Sequence, residues 1–524
     1  MAPEGQAVFR IHPGDHVAVA LRNLRSGEEL VLGESFGPAG GISGGLRVGE
    51  DVPQGHKIAL RDIPAGTRVL KYGLPIGAAS RPIYAGSWVH THNLRTLLAE
   101  NPVYSWPGIR DGENTPSGAS KAGGRGGSPA PPVFQVYRRP DGRIGIRNEI
   151  WIIPTVGCVN GAARTLARWG DAEFCRGEGG IDGVYAWTHP HGCSQLGEDH
   201  EATRGILKGL ALHPNAAAVL ILSLGCENNT LEDFKEFLGP PAEDPRRMAF
   251  LRCQDCDDEI AEGKRLLKQL AGYAAGARRE KAEAAGLILG LKCGGSDGLS
   301  GITANALAGR VCDSFCAWGA GAVLTEIPEI FGAEQILLDR CESREIFDRT
   351  VSLIENFKAY YRSQGQPIYE NPSPGNKAGG ISTLEEKSCG CVQKGGLSPI
   401  RGLCRYGERI AGPGLQLLEG PGNDMVSVTA LAAAGAQLIL FTTGRGTPLG
   451  APVPLIKIAS NSSLARRKPN WIDFDAGRLL SESPDRILAE LLQLIGAVAS
   501  GRTRTKSEGH DCREIAIFKN GVTL

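Results

Sequence analysis

Gly286-Leu287-Ile288-Leu289-Gly290-Leu291 runs directly into Lys292-Cys293-Gly294-Gly295-Ser296-Asp297-Gly298-Leu299-Ser300-Gly301-Ile302-Thr303-Ala304-Asn305. The apolar run reads as a buried strand, the polar stretch as a glycine-rich turn, and Ala304–Val311 as a helix. A strand feeding such a turn and then a helix belongs to an open α/β sheet, where ligands bind beyond the carboxyl ends of the strands. Glycine lets backbone N–H groups approach an anion, and the helix N-terminus adds positive dipole. Lys292 and Asp297 are therefore candidate acid–base groups, Asp297 first because glycines around it leave it accessible. Ser296 and Asn305 are candidate substrate contacts.

Two later stretches share this character. Glu370-Asn371-Pro372-Ser373-Pro374-Gly375-Asn376-Lys377-Ala378-Gly379-Gly380-Ile381-Ser382-Thr383-Leu384-Glu385-Glu386-Lys387 is too rich in Pro and Gly for an element interior. It contributes Asn376 and Lys387 as binding groups and Lys377 as a further acid–base candidate. Phe441-Thr442-Thr443-Gly444-Arg445-Gly446-Thr447-Pro448 follows the apolar run Leu438-Ile439-Leu440, and Arg445 has the planar fork suited to a carboxylate. Glu326 and Glu329, three apart, could contact a metal or sugar hydroxyls, or form a surface ion pair.

Upstream, strands and helices alternate from Phe134: Ile150–Pro154, Val184–Thr188 and Ala218–Leu222 are strand-like, whereas 161–170, 198–212 and 258–277 have helical spacing. That alternation predicts an α/β unit over 133–285 and a second over 286–524, with largely parallel sheets. Each early strand ends in a similar turn: Gly157-Cys158, His189-Pro190-His191-Gly192-Cys193 and Gly225-Cys226. His189 is a candidate general acid or base, since histidine titrates near neutrality. Cys158, Cys193 and Cys226 offer a different reading, three thiolates for an iron–sulfur cluster with one open iron. A short closing strand is expected at 514–518.

The N-terminal part, 7–105, alternates short apolar runs (17–21, 57–60, 68–71, 87–90) with turn signals and reads as a small β-rich domain. His90-Thr91-His92-Asn93 ends it. In a strand, His90 and His92 would point to one side and could share an ion, with His56 joining them. Between 106 and 132 the chain is nearly free of large apolar groups and reads as a flexible tether, which would make the small domain a lid.

The chain has 524 residues, too many for one core. Its 57 basic and 57 acidic side chains balance, so there is no global attraction to nucleic acid or an anionic membrane, and an acidic substrate needs a local cluster. No apolar run is long enough to span a bilayer, and Met1–Ala7 lacks a signal pattern, so a cytoplasmic protein is expected. Fourteen scattered cysteines suit thiols or metal ligands better than disulfides. Assembly into a homo-oligomer is left open.

The blocks KCGGSDGLSGITAN, TEIPEIFGAE, ENPSPGNKAGGISTLEEKS, FTTGRGTPLG and WIDFDAG, with VPQGHKIALRDIPAGTRVLKYGLPIG and WVHTHN before them, resemble the altronate/galactarate dehydratase family across nearly the whole chain. The resemblance implies that the small domain is a β-clip of the SAF kind. It also implies that water is removed from a sugar acid to give a 2-keto-3-deoxy acid, with a divalent metal, commonly Fe(2+), with Mn(2+) the alternative. KYGLPIG and HTHN point to D-altronate, giving 2-dehydro-3-deoxy-D-gluconate. The alternatives are dehydration of galactarate, expulsion of sulfite from sulfolactate, or a sugar-acid-binding sensor on the same scaffold. Such a dehydration takes the proton α to the carboxylate and expels the β-hydroxyl, so the site must stabilise an enediolate.

Overall fold

Residues 7–32, 45–98, 102–108, 131–175 and 180–521 are described by the computed structural model. The tether expected over 106–132 falls mostly on 109–130, outside these residues. Before it, Tyr104 donates to Glu355 and Trp106 packs edge-on against Phe347, so this stretch lies on the C-terminal domain.

The N-terminal domain is built of short antiparallel strands in three small sheets, as turn signals every few residues require. Val17–Ala20 and Lys57–Ala59 lie at the centre of one, and Arg68–Lys71 pairs with Leu74–Ala79 in another. The extended geometry expected for His90–His92 is not formed. The strand stops at Val89, and His90–Asn93 is a turn closed by Asn93 N–H to the His90 carbonyl (3.0 Å) and by His90 N–H to Asn93 Oδ1 (2.9 Å).

The second domain has a four-stranded parallel sheet in the order Gly183–Ala186, Glu149–Pro154, Ala216–Ser223, Met248–Arg252. The C-terminal domain has seven parallel strands in the order Ile400–Cys404, Gly414–Leu418, Gly321–Leu324, Ile288–Cys293, Leu438–Thr443, Leu455–Ala459, Phe474–Asp475. Parallel sheets covered on both faces need unbroken apolar strands, which is why Ala216–Ser223 and Leu438–Thr443 are buried throughout. The two domains share a core in which Ile206, Leu207 and Leu210 meet Val428, Leu431 and Ala433.

In each sheet the first strand has its successor on one side and later strands on the other. Glu149–Pro154 and Ile288–Cys293 are therefore topological switch points, beyond whose carboxyl ends a crevice opens. The strand expected at 514–518 is absent. That segment makes no ladder, because its amides bond side chains instead, Ala516 to Thr429 and Phe518 to Tyr406, while Ile515 and Ile517 fill the shared core.

Candidate active site between the N-terminal and C-terminal domains

The turn after Ile288–Cys293 is covered by the N-terminal domain, and its glycines explain the fit. A Cβ at Gly298 would lie 1.8 Å from the Gly55 carbonyl oxygen, and one at Gly301 would lie 2.1 Å from the Tyr72 hydroxyl. These glycines let another domain approach, where the sequence suggested an approaching anion.

Two lysines of the N-terminal domain cross the interface. Lys57 Nζ donates to Glu386 (2.8 Å), Ser382 (2.8 Å) and the Gly380 carbonyl (2.8 Å), and Lys71 Nζ reaches the other Glu386 oxygen (2.8 Å). All three charged groups are buried. Burial opposes ionisation of Glu386, but the two ammoniums outweigh it and hold it down at about 2. Burial, aided by Lys71 and resisted by Glu386, pushes Lys57 down to about 8. Lys71 stays firmly charged, since Glu386 and other neighbours overcome its desolvation. Two cations thus face one carboxylate, leaving one positive charge in excess. Lys71, Tyr72, Ser296, Asp297, Asn305, Glu386, Lys387 and Cys391 are among the residues around a space of ≈ 10 Å³, room for about one water. A sugar acid enters only if the domains part.

Beside this space lies a second buried network. Lys292 contacts Glu326, the Cys293 carbonyl (2.7 Å) and Asp424 (2.9 Å). Burial disfavours its charge, but Glu326 and Asp424 outweigh that and hold the proton firmly, so Lys292 does not fit the role of general base suggested by its position in the turn. Lys394 meets Cys293 Sγ at 2.6 Å and Glu326 at 3.3 Å, and Lys387 meets Glu329 at 2.7 Å and Asn371 at 3.0 Å. Glu326 has φ 72°, a left-handed conformation that a non-glycine residue adopts at a cost, and it aims the carboxylate between the two lysines. Burial would raise Glu329, but Lys387, Lys292 and Lys394 hold it well below the usual carboxylate range.

Cys293, Glu329 and Cys391 bring one ligand atom each within 4.8 Å of one another, the only such grouping of His, Cys, Asp or Glu among the described residues. Their separations are 3.4 Å between the sulfurs and 3.4 and 3.3 Å from sulfur to Glu329 Oε2. Two soft donors, one hard donor and an unfilled fourth position suit a divalent transition metal.

The remaining expected residues are distributed as follows. Asp297 accepts from Ser300 (2.8 Å), Ser460 (2.8 Å) and Asn461 (3.0 Å), so its oxygens tie its own turn to the Ser460–Asn461 turn and are not the open carboxylate expected. Asn305 bonds the Gly390 carbonyl and Thr442, and Asn376 bonds the Ser296 carbonyl and caps its own helix. Lys377 is half-buried and Arg445 exposed, and neither side chain has a hydrogen bond or ion pair among the described residues. His56 accepts from Trp88 Nε1 at 3.1 Å and faces the Ala378 carbonyl at 3.4 Å, so both ring nitrogens are engaged. His90 meets Ser382 Oγ at 2.9 Å, and His92 is exposed against Trp88. The shared ion expected for these histidines finds no such geometry.

His189 is buried in the second domain, its Nε2 on the Pro154 carbonyl (3.0 Å) and its Nδ1 accepting from His191 N–H (3.3 Å). Both nitrogens are occupied and burial pushes it down to about 4, which removes it from proton transfer. Cys158 and Cys226 are exposed and Cys193 is half-buried, all free thiols. Lys57, Lys71, Glu386, Lys394 and Asp424 were missed as site residues. The available signal was a lysine at each of two short apolar strands, Lys57-Ile58-Ala59 and Arg68-Val69-Leu70-Lys71.

Three family models match the chain: the altronate/galactarate dehydratase SAF domain over residues 6–97, the D-galactarate dehydratase/altronate hydrolase second domain over 136–275, and the D-galactarate/altronate dehydratase C-terminal domain over 284–523. The chain belongs to the altronate/galactarate dehydratase family and is a hydro-lyase. It is 48% identical over 517 residues to altronate dehydratase of Escherichia coli (strain K12), covering 98% of this chain and 99% of that one. It is 46% identical over 524 residues to altronate dehydratase of Bacillus subtilis (strain 168), covering 99% and 100%. Galactarate dehydratase (L-threo-forming) of Escherichia coli (strain K12) is 30% identical over 533 residues, covering 97% and 96%. No helix among the described residues is long and apolar enough to cross a membrane.

Proposed function

We propose that the protein dehydrates D-altronate to 2-dehydro-3-deoxy-D-gluconate in the space between the N-terminal and C-terminal domains. The excess positive charge of Lys57 and Lys71 over Glu386 carries this reading, because a buried uncompensated cation calls for an anion. Lys71 meets the substrate carboxylate, while Lys57, which spends its donors on Gly380, Ser382 and Glu386, keeps the N-terminal domain closed over it. Cys293, Glu329 and Cys391 hold Fe(2+), or Mn(2+) in its place. When bound, the metal supplies Lewis-acid stabilisation of the enediolate and of the departing hydroxyl.

Of the four acid–base candidates, Lys292 is locked in ion pairs, Asp297 in loop contacts and His189 in backbone contacts. Lys377 keeps an unengaged side chain next to Asn376, which bonds the Ser296 carbonyl, and it is assigned the α-proton. The single positive charge in excess in the Lys57–Lys71–Glu386 cluster suits a monocarboxylate, and the higher identity to the two altronate relatives supports the same choice.

Keto-acid release should be assayed anaerobically with Fe(II) or Mn(II) on altronate and galactarate. A kcat/KM on galactarate equal to or above that on altronate sinks the substrate choice. Lys377→Met should lower kcat by ~10² or more, the usual contribution of a positioned acid–base group, and stop solvent exchange of the substrate α-proton. Undiminished exchange in that variant would remove Lys377 from the role.

A further inference from the structure

The second domain carries a different candidate site. Its switch point lies beyond Glu149–Pro154, and the turns of that strand and of its two neighbours each present a Gly-Cys pair, at Cys158, Cys193 and Cys226. The turns are tied to one another: Gly157 N–H donates to the His191 carbonyl (2.7 Å), and Asn228 N–H to the Cys193 carbonyl (2.9 Å). Cys193 therefore lies between the other two.

Buried polar atoms without partners gather at the same edge. Among the described residues, Asn229, 2% exposed, has neither its Oδ1 nor its Nδ2 paired, and Trp187 Nε1, His191 Nε2 and Asn160 Oδ1 are also unpaired. A protein seldom buries both ends of an amide unsatisfied, so these atoms mark room for something more than protein. Beside the Cys226 turn an open groove of ≈ 460 Å³ is lined by His200, Arg204, Asn228 and Phe237 among others.

Thiolates are soft donors that select zinc, cuprous copper or iron–sulfur clusters. Ligands round one tetrahedral ion at Zn–S lengths sit about 4 Å apart. The three sulfurs do not all lie within 4.8 Å of one another, so as placed they do not share a single ion. We propose that Cys158, Cys193 and Cys226 hold a [4Fe–4S] cluster, its fourth iron left with an exchangeable oxygen ligand beside Asn229 and His191. Assembly balances: two ferrous ions, two ferric ions and four sulfides give the core of charge 2+, and the three thiols lose their protons on binding. The inference is independent of the metal assigned to Cys293, Glu329 and Cys391.

The test uses the full chain, purified without oxygen and then offered two ferrous ions, two ferric ions and four sulfides per chain. The expected result is about four irons and four acid-labile sulfides retained, with broad visible charge-transfer absorption. Cys158→Ser and Cys226→Ser, each changing an exposed thiol, should retain less than half of both with melting temperature unchanged. Cys253→Ser/Cys256→Ser should retain them in full. Iron without sulfide, zinc in place of iron, or equal cluster content in the Cys158 and Cys226 variants would overturn the assignment. The Cys293→Ser/Cys391→Ser variant should keep the cluster. Loss of labile sulfide there would move the cluster to the interdomain site and overturn the proposal.

Discussion

The two switch-point crevices differ in how their polar groups are satisfied. Between the N-terminal and C-terminal domains Lys57, Lys71, Lys292, Lys387 and Lys394 are all buried, and each meets a carboxylate. At the edge of the second domain the thiols face solvent or one hydroxyl, and the Asn229 amide, Trp187 Nε1 and His191 Nε2 have no partner among the described residues. The first crevice is held closed by the protein's own charges, so a ligand must compete with existing ion pairs. The second is shaped by polar groups that nothing among the described residues satisfies. The N-terminal domain is the reason for the contrast, because it brings two lysines to the first crevice and none to the second.

The comparison breaks most readily at Glu386. Glu386→Leu leaves Lys57 and Lys71 buried and uncompensated, a loss of about 3–5 kcal/mol by analogy with other buried pairs cut on one side. The expected outcome is an N-terminal domain that no longer docks, read as faster proteolysis of the chain between the domains and a lower denaturation midpoint. Unchanged protection would mean that these lysines do not hold the domains together.

Asp297 tests whether the glycine-rich turn is machinery or scaffold. Asp297→Asn turns an acceptor into a donor opposite Asn461 Nδ2 or the Ser300 and Ser460 hydroxyls, and should cost about 1–3 kcal/mol of stability. The rate then falls through a displaced loop, with KM rising as well. A kcat lowered ~10² with KM and melting temperature intact would return Asp297 to a proton-transfer role.

Much of the fold was legible because apolar runs of different length carry it. Ile288–Leu291, Ala216–Leu222 and Ile150–Pro154 are uninterrupted, and the helices Gly197–Ala211 and Glu259–Ala274 keep a regular apolar period. The glycine-rich turn was found for a partly mistaken reason, since Gly298 and Gly301 accommodate Gly55 and Tyr72. The lysines were illegible for a physical reason. A lysine at the end of a short strand is usually solvated, and only the docked domain buries Lys57 and Lys71 against Glu386, more than 300 positions away. The extended reading of His90–His92 failed because Asn93 closes a side-chain turn on His90, a local bond that competes with the strand.

Acid should weaken the same interface. Burial pushes His56 and His90 down to about 4, against an ordinary value near 6.5 once exposed. Between these values the undocked state binds more protons, so docking is fully favoured above about 6.5 and is lost as pH falls toward 4. The slope is at most about 1.4 kcal/mol per pH unit for each histidine. Protease protection of the N-terminal domain, followed from pH 7 to pH 4.5, should decline over this window, and His90→Asn should flatten the decline. A profile that stays level in the unmodified chain would place both imidazoles in solvent.

The smallest effect is expected at His92, and it separates the two possible metal sites. Its ring is exposed and rests on Trp88 with centroids 5.1 Å apart, while His90 turns toward Ser382 and His56 is engaged at both nitrogens. Among the described residues these rings belong to no group of three possible metal ligands. His92→Ala should therefore change stability by no more than about 0.5–1 kcal/mol, the scale of a surface residue or one aromatic contact. Activity at limiting Fe(II) should stay within about twofold, because a group outside the ligand set leaves metal affinity untouched. Cys391→Ser should lose metal in the same titration, since it removes one of the two soft donors beside Glu329. If instead His92→Ala lost activity tenfold or more and excess Fe(II) restored it, the metal would belong to the turn of the N-terminal domain. Cys293, Glu329 and Cys391 would then be a buried ionic network of the C-terminal domain, finished without any ion.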